Sequence, residues 1–402
     1  MIARRHVLHV AGYDPVDVVR HHRRFVRELA TFAKTWNVTA SASELFGTRC
    51  GVAWTVTTRA PNWSVETTYE LLDWRDIVLD DLSQPLAGCL RDGAIAFADF
   101  IGSGTLARYF SASHRYAFFF IAPLLQLALL LALALIAGYL AAGALALGAV
   151  LRTLVFVAVV LFAFAVLLQW PGRRWRVDQA LHDWIFARGY MHGHRPDIEE
   201  RLDAFAERLV EVSRDGAIDE VLVVGHSLGA ILALDVIDRA VKLEPSLARH
   251  VPRLSFLTVG ATIPKLTLHP AGERFRACAR RVAAMPAVDW VEYQSRDDAI
   301  SFYKFHPVAS RRLIDDDRST RPLIRRVQIH EMLTPASFRR YRFRFLRMHY
   351  QFVMANERRA PYDFFMLVCG PISLLPTAHA PGGPIDLFGD DGSALAGAEL
   401  AR

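Results

Sequence analysis

A long region without charged residues most constrains what this 402-residue chain can fold into. No charged side chain occurs from Ala117 to Leu151, and beyond Arg152 a second uncharged stretch runs from Thr153 to Gly172. Because one helix needs about 20 apolar residues to span a bilayer, this region is too long for one span and suits two. The sequence therefore predicts a transmembrane helical hairpin near the middle of the chain.

The two hairpin helices are predicted near Tyr116–Tyr139 and Gly148–Trp170, with the turn around Ala141–Ala146. Arg152 would lie close to this turn and extend its side chain to the far interface. Tyr116, Trp170 and Trp175 fit an aromatic belt at the near interface. A buried helical pair inside a soluble protein is the alternative, and it would require a very large core.

Arginines flank the outer ends of both hairpin helices, whereas the turn is almost uncharged. These arginines are Arg108, Arg115, Arg173, Arg174 and Arg176. By the positive-inside rule, both long flanks are expected to be cytoplasmic. High usage of Ala and Arg is typical of a bacterium with a GC-rich genome, so the predicted location is a bacterial inner membrane crossed twice.

The overall composition supports a lipid-associated protein. Hydrophobic residues make up 52% of the chain, and their excess is concentrated in the hairpin region. The net charge of +6 suits an anionic lipid surface or nucleic acid. No RNP motif, zinc-finger spacing or Gly-rich phosphate loop supports nucleic acid, so membrane lipids are the predicted partner.

The cysteines give no sign of a metal site or a disulfide framework. They are far apart in the sequence and form no CxxC pair: Cys50, Cys89, Cys278 and Cys369. We expect buried or idle thiols in a reducing compartment. No metal and no organic cofactor is expected.

Outside the hairpin, predicted strands alternate with predicted helices. Short apolar strands are expected at Val7–Val10, Gly51–Thr57, Thr67–Leu72, Glu220–Val224, Leu254–Val259, Trp290–Tyr293 and Arg326–His330. Helical spacing of apolar residues marks Val16–Trp36, Asp197–Ser213 and Leu228–Lys242. This alternation predicts an α/β fold with a mostly parallel sheet flanked by helices.

The hairpin interrupts this series, so residues 1–115 and 171–378 are predicted to build one α/β domain around an insertion at 116–170. The segment 379–402 is rich in Ala, Gly, Pro and Asp. Such a composition favours a disordered tail.

The most specific motif matches the pattern G-x-S-x-G. It consists of Gly225, His226, Ser227, Leu228 and Gly229. An apolar strand precedes it and a helical segment follows, and the small residues let the backbone turn sharply and lift the serine hydroxyl. The following helix would point its N-terminus at a developing oxyanion. Ser227 is the predicted nucleophile and His226 a supporting residue; a coincidental turn is the alternative.

In this context the chain resembles the α/β-hydrolases, in particular the lipase and serine-esterase branch, where GHSLG is frequent. The resemblance implies an α/β-hydrolase fold in which the amide of Leu228 is one oxyanion donor. The other donor comes from the loop after an early strand, here Gly12 and Tyr13. Ala11 replaces the histidine that the family often has in this loop, which leaves the second donor open, and an ordinary turn is the alternative.

The resemblance also implies an acid and then a histidine after the serine, each following a strand. Asp298 comes just after a predicted strand and is the preferred acid, with Asp297 as its competitor. Either aspartate has an alternative role as a cap of the next helix. His349, after the last predicted strand, is the preferred base over His330, and His306 is a third candidate.

Arginines interleave with aromatic residues from Phe338 to Arg347. This segment suits contact with anionic headgroups, or it is a solvated basic loop. Taken together, the sequence predicts a membrane-anchored serine hydrolase that cleaves an acyl ester of a small molecule or a lipid. A catalytically inactive membrane scaffold and an acyltransferase on the same fold remain alternatives.

Overall fold

The computed structural model describes residues 1–172, 174, 176–312 and 321–397. Within this part of the chain, a nine-stranded mixed sheet forms the centre of the molecule, and β9 and β10 pair separately. The strands are β1 (Arg4–Val10), β2 (Thr39–Ala42), β3 (Phe46–Thr48), β4 (Gly51–Ala60), β5 (Trp63–Leu72), β6 (Glu220–His226), β7 (Leu254–Val259), β8 (Val288–Ser295), β9 (Phe305–His306), β10 (Arg311–Arg312) and β11 (Leu323–Val327).

The strand order is β2-β4-β5-β1-β6-β7-β8-β11, with β3 also paired to β4. The six strands from β5 to β11 in this order are parallel, and β2, β3 and β4 add antiparallel pairings at one edge. The predicted α/β class with a mostly parallel sheet is thereby confirmed. Since β1 precedes the apolar hairpin and pairs with β6 after it, both flanks contribute to one sheet.

Helices cover both faces of the sheet. They are α1 (Val18–Trp36), α2 (Arg75–Leu82), α3 (Leu86–Gly102), α4 (Thr105–Ala112), α5 (His114–Ala144), α6 (Ala149–Leu167), α7 (Val177–Met191), α8 (Pro196–Ser213), α9 (Gly229–Leu243), α10 (Leu247–His250), α11 (Ile263–Thr267), α12 (Glu273–Ala283), α13 (Ile329–Met332), α14 (Pro335–Tyr341), α15 (Phe345–His349), α16 (Phe364–Cys369), α17 (Leu374–His379) and α18 (Pro384–Leu387). A π-helical turn at Leu168–Gly172 extends α6, and 3-10 turns lie at Pro270–Gly272 and Tyr350–Val353.

The central strands are apolar on both sides because both faces of the sheet are covered. In β6, Val221 and Val223 enter a core with α3, α7, α8, α9 and α12, whereas Leu222 and Val224 enter a core with α1, α16 and α17. Alternate side chains of a strand point to opposite faces, so one continuous apolar run serves two cores. This double burial fixes the position of the residues that follow β6.

The apolar region forms two helices that are long and apolar enough to cross a membrane. They span His114–Ala144 and Ala149–Gly172, which are 31 and 24 residues, and α6 has no buried residue. The turn lies at residues 145–148, later than predicted, because α5 continues through Gly138 to Ala144. Trp170 is exposed, whereas Arg173 and Trp175 lie outside the described residues.

The predicted disorder of segment 379–402 is wrong for the residues up to Gly397. Leu387 and Phe388 are buried in the core that contains α1. The indole of Trp63 donates to the carbonyl of Gly392 at 2.9 Å. Composition misled here because a few buried apolar residues suffice to hold a segment that is otherwise rich in small and polar residues. Residues 398–402 lie outside the described part.

Candidate active site

Ser227 lies on a sharp turn between β6 and α9. Its φ is +57°, a left-handed conformation that non-glycine residues rarely adopt. Side chains are excluded on either side of it: a Cβ at Gly225 would lie 2.5 Å from the Cα of Ala230, and one at Gly229 would lie 2.2 Å from the carbonyl oxygen of Val10. The small residues of the motif therefore permit the turn, as the sequence predicted.

The backbone of this turn is held from the neighbouring strand. The amide of Ser227 donates to the carbonyl of Val259 at 3.2 Å, and its carbonyl accepts from the amide of Thr262 at 3.2 Å. The serine side chain is partly exposed and lines a cavity, and a Cβ at Gly12 would lie 2.9 Å from its Cβ. A fixed backbone with an accessible hydroxyl is the arrangement that a nucleophile needs.

His349 and Asp298 form a buried pair at the same edge of the sheet. His349 Nδ1 lies 2.8 Å from Asp298 Oδ2, and Asp298 Oδ1 accepts from the amide of Ile300 at 2.9 Å. In the tautomer with its proton on Nδ1, the ring donates to this carboxylate and Nε2 is left as a proton acceptor. In the described part of the chain, Nε2 makes no hydrogen bond, and His349 and Ser227 line the same cavity.

The ring of His226 packs against the imidazole of His349. The two ring centroids are 4.6 Å apart, and His226 Nε2 donates to the carbonyl of His349 at 3.4 Å. Burial, together with the neighbouring His349, holds the pKa of His226 well below its ordinary value. A neutral His226 adds no charge beside the candidate base, which agrees with its predicted supporting role.

Leu228, Gly12 and Tyr13, whose backbone amides are the predicted oxyanion donors, all line the cavity. Leu228 immediately precedes the 15-residue helix α9, whose N-terminus bears a partial positive charge. None of these amides donates a hydrogen bond to a described residue. They are free to bind an oxyanion that forms on a substrate.

The loop after β1 is anchored at several points that the sequence did not reveal. Trp74 Nε1 donates to the carbonyl of Ala11 at 3.1 Å, and Gln179 Nε2 donates to the carbonyl of Tyr13 at 2.8 Å. The hydroxyl of Tyr350 donates to the carboxylate of Asp14 and so links this loop to the residue after His349. These partners come from distant segments, and only the fold brings them together.

The competing candidates lie elsewhere. His330 is in α13 and not in a strand, because β11 ends at Val327; its Nδ1 lies 3.5 Å from Asp297 Oδ2. Neither residue lines the cavity with Ser227, and the His330 side chain is 47% exposed. His306 Nδ1 accepts from the amides of its own turn. Of the candidate bases, only His349 lines the cavity with Ser227, and of the candidate acids, only Asp298 binds His349.

The cavity at Ser227 has a volume of about 600 Å³ and extends along α5. Its apolar wall includes Tyr116, Phe119, Phe120, Pro123 and Trp184, and its rim includes Arg174, Arg176, Arg344 and Arg347. The volume is within the range of ligand pockets, roughly 300–1,000 Å³. The cavity therefore joins the serine to the helix that is apolar enough to cross a membrane.

Two further groups in this region were not predicted from the sequence. Lys265 is buried in the cavity wall and forms an ion pair with Asp183. Gly260 has φ +53°, and a Cβ there would lie 2.9 Å from His349 Cε1. A glycine directly after strand β7 was a signal for a close approach at this edge, whereas nothing local marked the ion pair.

Two clusters contain metal-ligating residue types. In one, ligand atoms of Asp99, His192 and His269 lie within 4.8 Å of one another. However, His269 Nδ1 accepts from the amide of Ala271 at 3.1 Å, which places the ring proton on the Nε2 that faces Asp99. The nitrogen that would bind a cation thus has no free lone pair, and Asp99 instead pairs with Arg188 and His192, both at 3.0 Å.

The other cluster consists of Asp235, Asp238 and Cys278. Its carboxylates form ion pairs with Arg239 and Arg281. These guanidinium groups occupy the oxygens that a cation would need, so the cluster stabilises the packing of α9 on α12.

Fold and site together define an α/β protein in which a serine, an imidazole–carboxylate pair and free amides meet at the carboxyl edge of a mostly parallel sheet. Comparisons with protein-family models, curated proteins and solved structures found no match for this chain. The function is therefore inferred from the geometry of the site.

Proposed function

We propose that this protein is a membrane-anchored serine hydrolase of the α/β-hydrolase type that cleaves an acyl ester. The observation that supports it most is that Ser227 and His349 line one cavity, that Asp298 binds His349 Nδ1, and that His349 Nε2 has no hydrogen-bond partner among the described residues. The order serine, acid, histidine along the chain, each after a parallel strand, agrees with the family that the sequence resembles.

In this proposal Ser227 attacks the acyl carbonyl while His349 Nε2 accepts its proton. Asp298 keeps the imidazole in the required tautomer and stabilises the imidazolium that forms. The amides of Leu228, Gly12 and Tyr13 bind the oxyanion of the tetrahedral intermediate. The imidazolium then protonates the leaving alcohol, and water hydrolyses the acyl-serine by the same route.

The test is covalent labelling by a fluorophosphonate probe, which reacts with activated serines. We expect the full-length wild type in detergent micelles to be labelled and the S227A variant not to be. S64A, which removes an exposed hydroxyl from β5, is the matched control and should label like the wild type. Equal labelling of wild type and S227A would refute the proposal.

We further propose that α5 and α6 cross a bacterial inner membrane and leave both flanks in the cytoplasm. Support comes from the length and apolar surface of the two helices and from the arginines at their outer ends. Since the four native cysteines are buried, a single introduced cysteine reports its own exposure. A membrane-impermeant maleimide should label A146C in intact spheroplasts, and S64C only after permeabilisation. Labelling of S64C in intact spheroplasts, with A146C labelled only after permeabilisation, would show that the topology is the reverse of the one proposed.

A further inference from the structure

The substrate cavity is bounded by two chemically different walls. One wall is the first part of α5, where Phe119, Phe120 and Pro123 line the cavity before the helix continues into its exposed apolar part. The other is the rim, formed by residues 343–347 and by Arg174 and Arg176. A molecule in this cavity would therefore meet both apolar surface and cations.

No described carboxylate forms a salt bridge with the cations of the rim, which are Arg174, Arg176, Arg344 and Arg347. Arg176 donates to Gln179 at 3.1 Å and Arg347 donates to Gln351 at 2.8 Å. Glu28 and Glu357 act on Arg347 only from a longer distance. By contrast, the remaining cation of the cavity, Lys265, is paired with Asp183. The rim thus has an excess of positive charge that suits an anionic group of a ligand.

Exposed apolar side chains accompany these arginines. Phe343 is 74% exposed and Phe345 is 52% exposed, and both line the cavity beside Arg344. Large exposed aromatic residues next to arginines are typical of a surface that rests among lipid headgroups. Since the same cavity is walled by α5, its opening lies where that helix would enter a bilayer.

We infer that the substrate is an anionic phospholipid of the bilayer, an inference that rests on the proposed hydrolase function. One acyl chain enters along the face of α5 that includes Phe119 and Pro123, and the phosphate is held by the rim arginines. Ser227 Oγ displaces the lysophospholipid alkoxide, which takes the proton from His349. Water then cleaves the acyl-serine and releases a fatty acid.

The experiment compares two lipids and one soluble ester with the full-length protein. Phosphatidylglycerol and phosphatidylcholine are presented in vesicles of matched total charge, and release of fatty acid is measured. We expect faster hydrolysis of phosphatidylglycerol and a decline of this preference at high ionic strength, because salt screens exposed charges. A p-nitrophenyl butyrate assay reports the serine chemistry independently of any headgroup.

Substitution of the rim arginines tests the charge contacts. R344Q should reduce the ratio of phosphatidylglycerol to phosphatidylcholine hydrolysis roughly fivefold, and R174Q/R344Q should reduce it by a similar factor again. R339Q, an exposed arginine of α14 that does not line the cavity, is the matched control and should leave the ratio unchanged.

These measurements distinguish a wrong substrate from a wrong reaction. Turnover of the soluble ester with equal rates on both phospholipids, or with no phospholipid hydrolysis, would overturn the assigned substrate and leave the hydrolase intact. A ratio that R344Q does not change would likewise overturn the role of the rim. Absence of both soluble-ester turnover and Ser227 labelling would overturn the hydrolase and the substrate together.

Discussion

Asp297 and Asp298 are adjacent and chemically identical, but their surroundings differ. Asp298 is fully buried, binds His349 Nδ1 and accepts the amide of Ile300. Asp297 is partly exposed and meets His330 at the surface. A one-residue shift along the loop after β8 thus separates a group that can orient an imidazole in the cavity from one that cannot.

We predict that D298N lowers kcat of ester hydrolysis by about 10⁴-fold with little change in KM. The amide of the new asparagine would donate to His349 Nδ1, so the ring proton would move to Nε2. A protonated Nε2 cannot accept the proton of Ser227. Steady-state kinetics with p-nitrophenyl butyrate measure the effect. D297N is the neighbouring control, and a comparable loss there would contradict the assignment of the acid.

Glu292 gives a second prediction, for stability as a function of pH. Burial in β8 raises its pKa from 4.5 to about 7, against hydrogen bonds from Gln294 and Thr258 that lower it. The folded state holds this proton more tightly than the unfolded state, so the group stabilises the fold below pH 4.5. That stabilisation is lost as the pH rises to 7, by about 3 kcal/mol.

E292Q keeps the shape of the side chain and removes its titration. We expect its thermal unfolding midpoint in detergent to match the wild type near pH 4.5 and to exceed it at pH 8. Midpoints measured across this range provide the comparison. A constant difference between the two midpoints at every pH would show that the titration of Glu292 does not affect stability.

At the scale of elements, the two hairpin helices approach each other closely at Gly138. A Cβ at Gly138 would lie 2.5 Å from Val160 Cγ2 and 3.0 Å from the carbonyl oxygen of Phe156. Small residues allow such close approach between apolar helices, where packing is a principal source of attraction. Gly143, five residues further along α5, has no described atom outside its own helix backbone within 4 Å of its Cβ position.

We therefore predict that G138V destabilises the hairpin by about 1–3 kcal/mol, because the larger side chain forces α5 and α6 apart. G143V introduces the same residue into the same helix without a clash and is the matched control. Unfolding of the full-length protein in mixed micelles of increasing denaturing detergent measures both. Equal destabilisation by the two variants would show that helix propensity, and not packing, is responsible.

At the scale of the whole molecule, the segment around Phe388 packs against elements from the first part of the chain. The ring of Phe388 packs on both Trp36 and Trp63, with ring centroids 6.1 Å apart in each case. Asn37 Nδ2 also donates to the carbonyl of Asp390 at 2.7 Å. The last described residues thus cover the core between α1 and the edge of the sheet.

We predict that F388A lowers the free energy of unfolding by about 3 kcal/mol, because it leaves a cavity between two tryptophans. L395A removes a side chain that is 47% exposed and should change it by less than about 1 kcal/mol. Thermal unfolding monitored by tryptophan fluorescence compares the two. A wild-type midpoint for F388A would mean that the segment does not stabilise the core.

The sequence by itself determined the apolar hairpin, the α/β class and the turn at Ser227. Each depends on a contiguous pattern: an uncharged stretch longer than one span, strands alternating with helices, and glycines two residues on either side of a serine. The tertiary structure alone decided that His349 pairs with Asp298 and shares a cavity with Ser227, that the rim arginines border this cavity, and that the C-terminal segment packs on the core. Those contacts join residues far apart in the chain, and the burial that distinguishes one aspartate from its neighbour exists only after the sheet has formed.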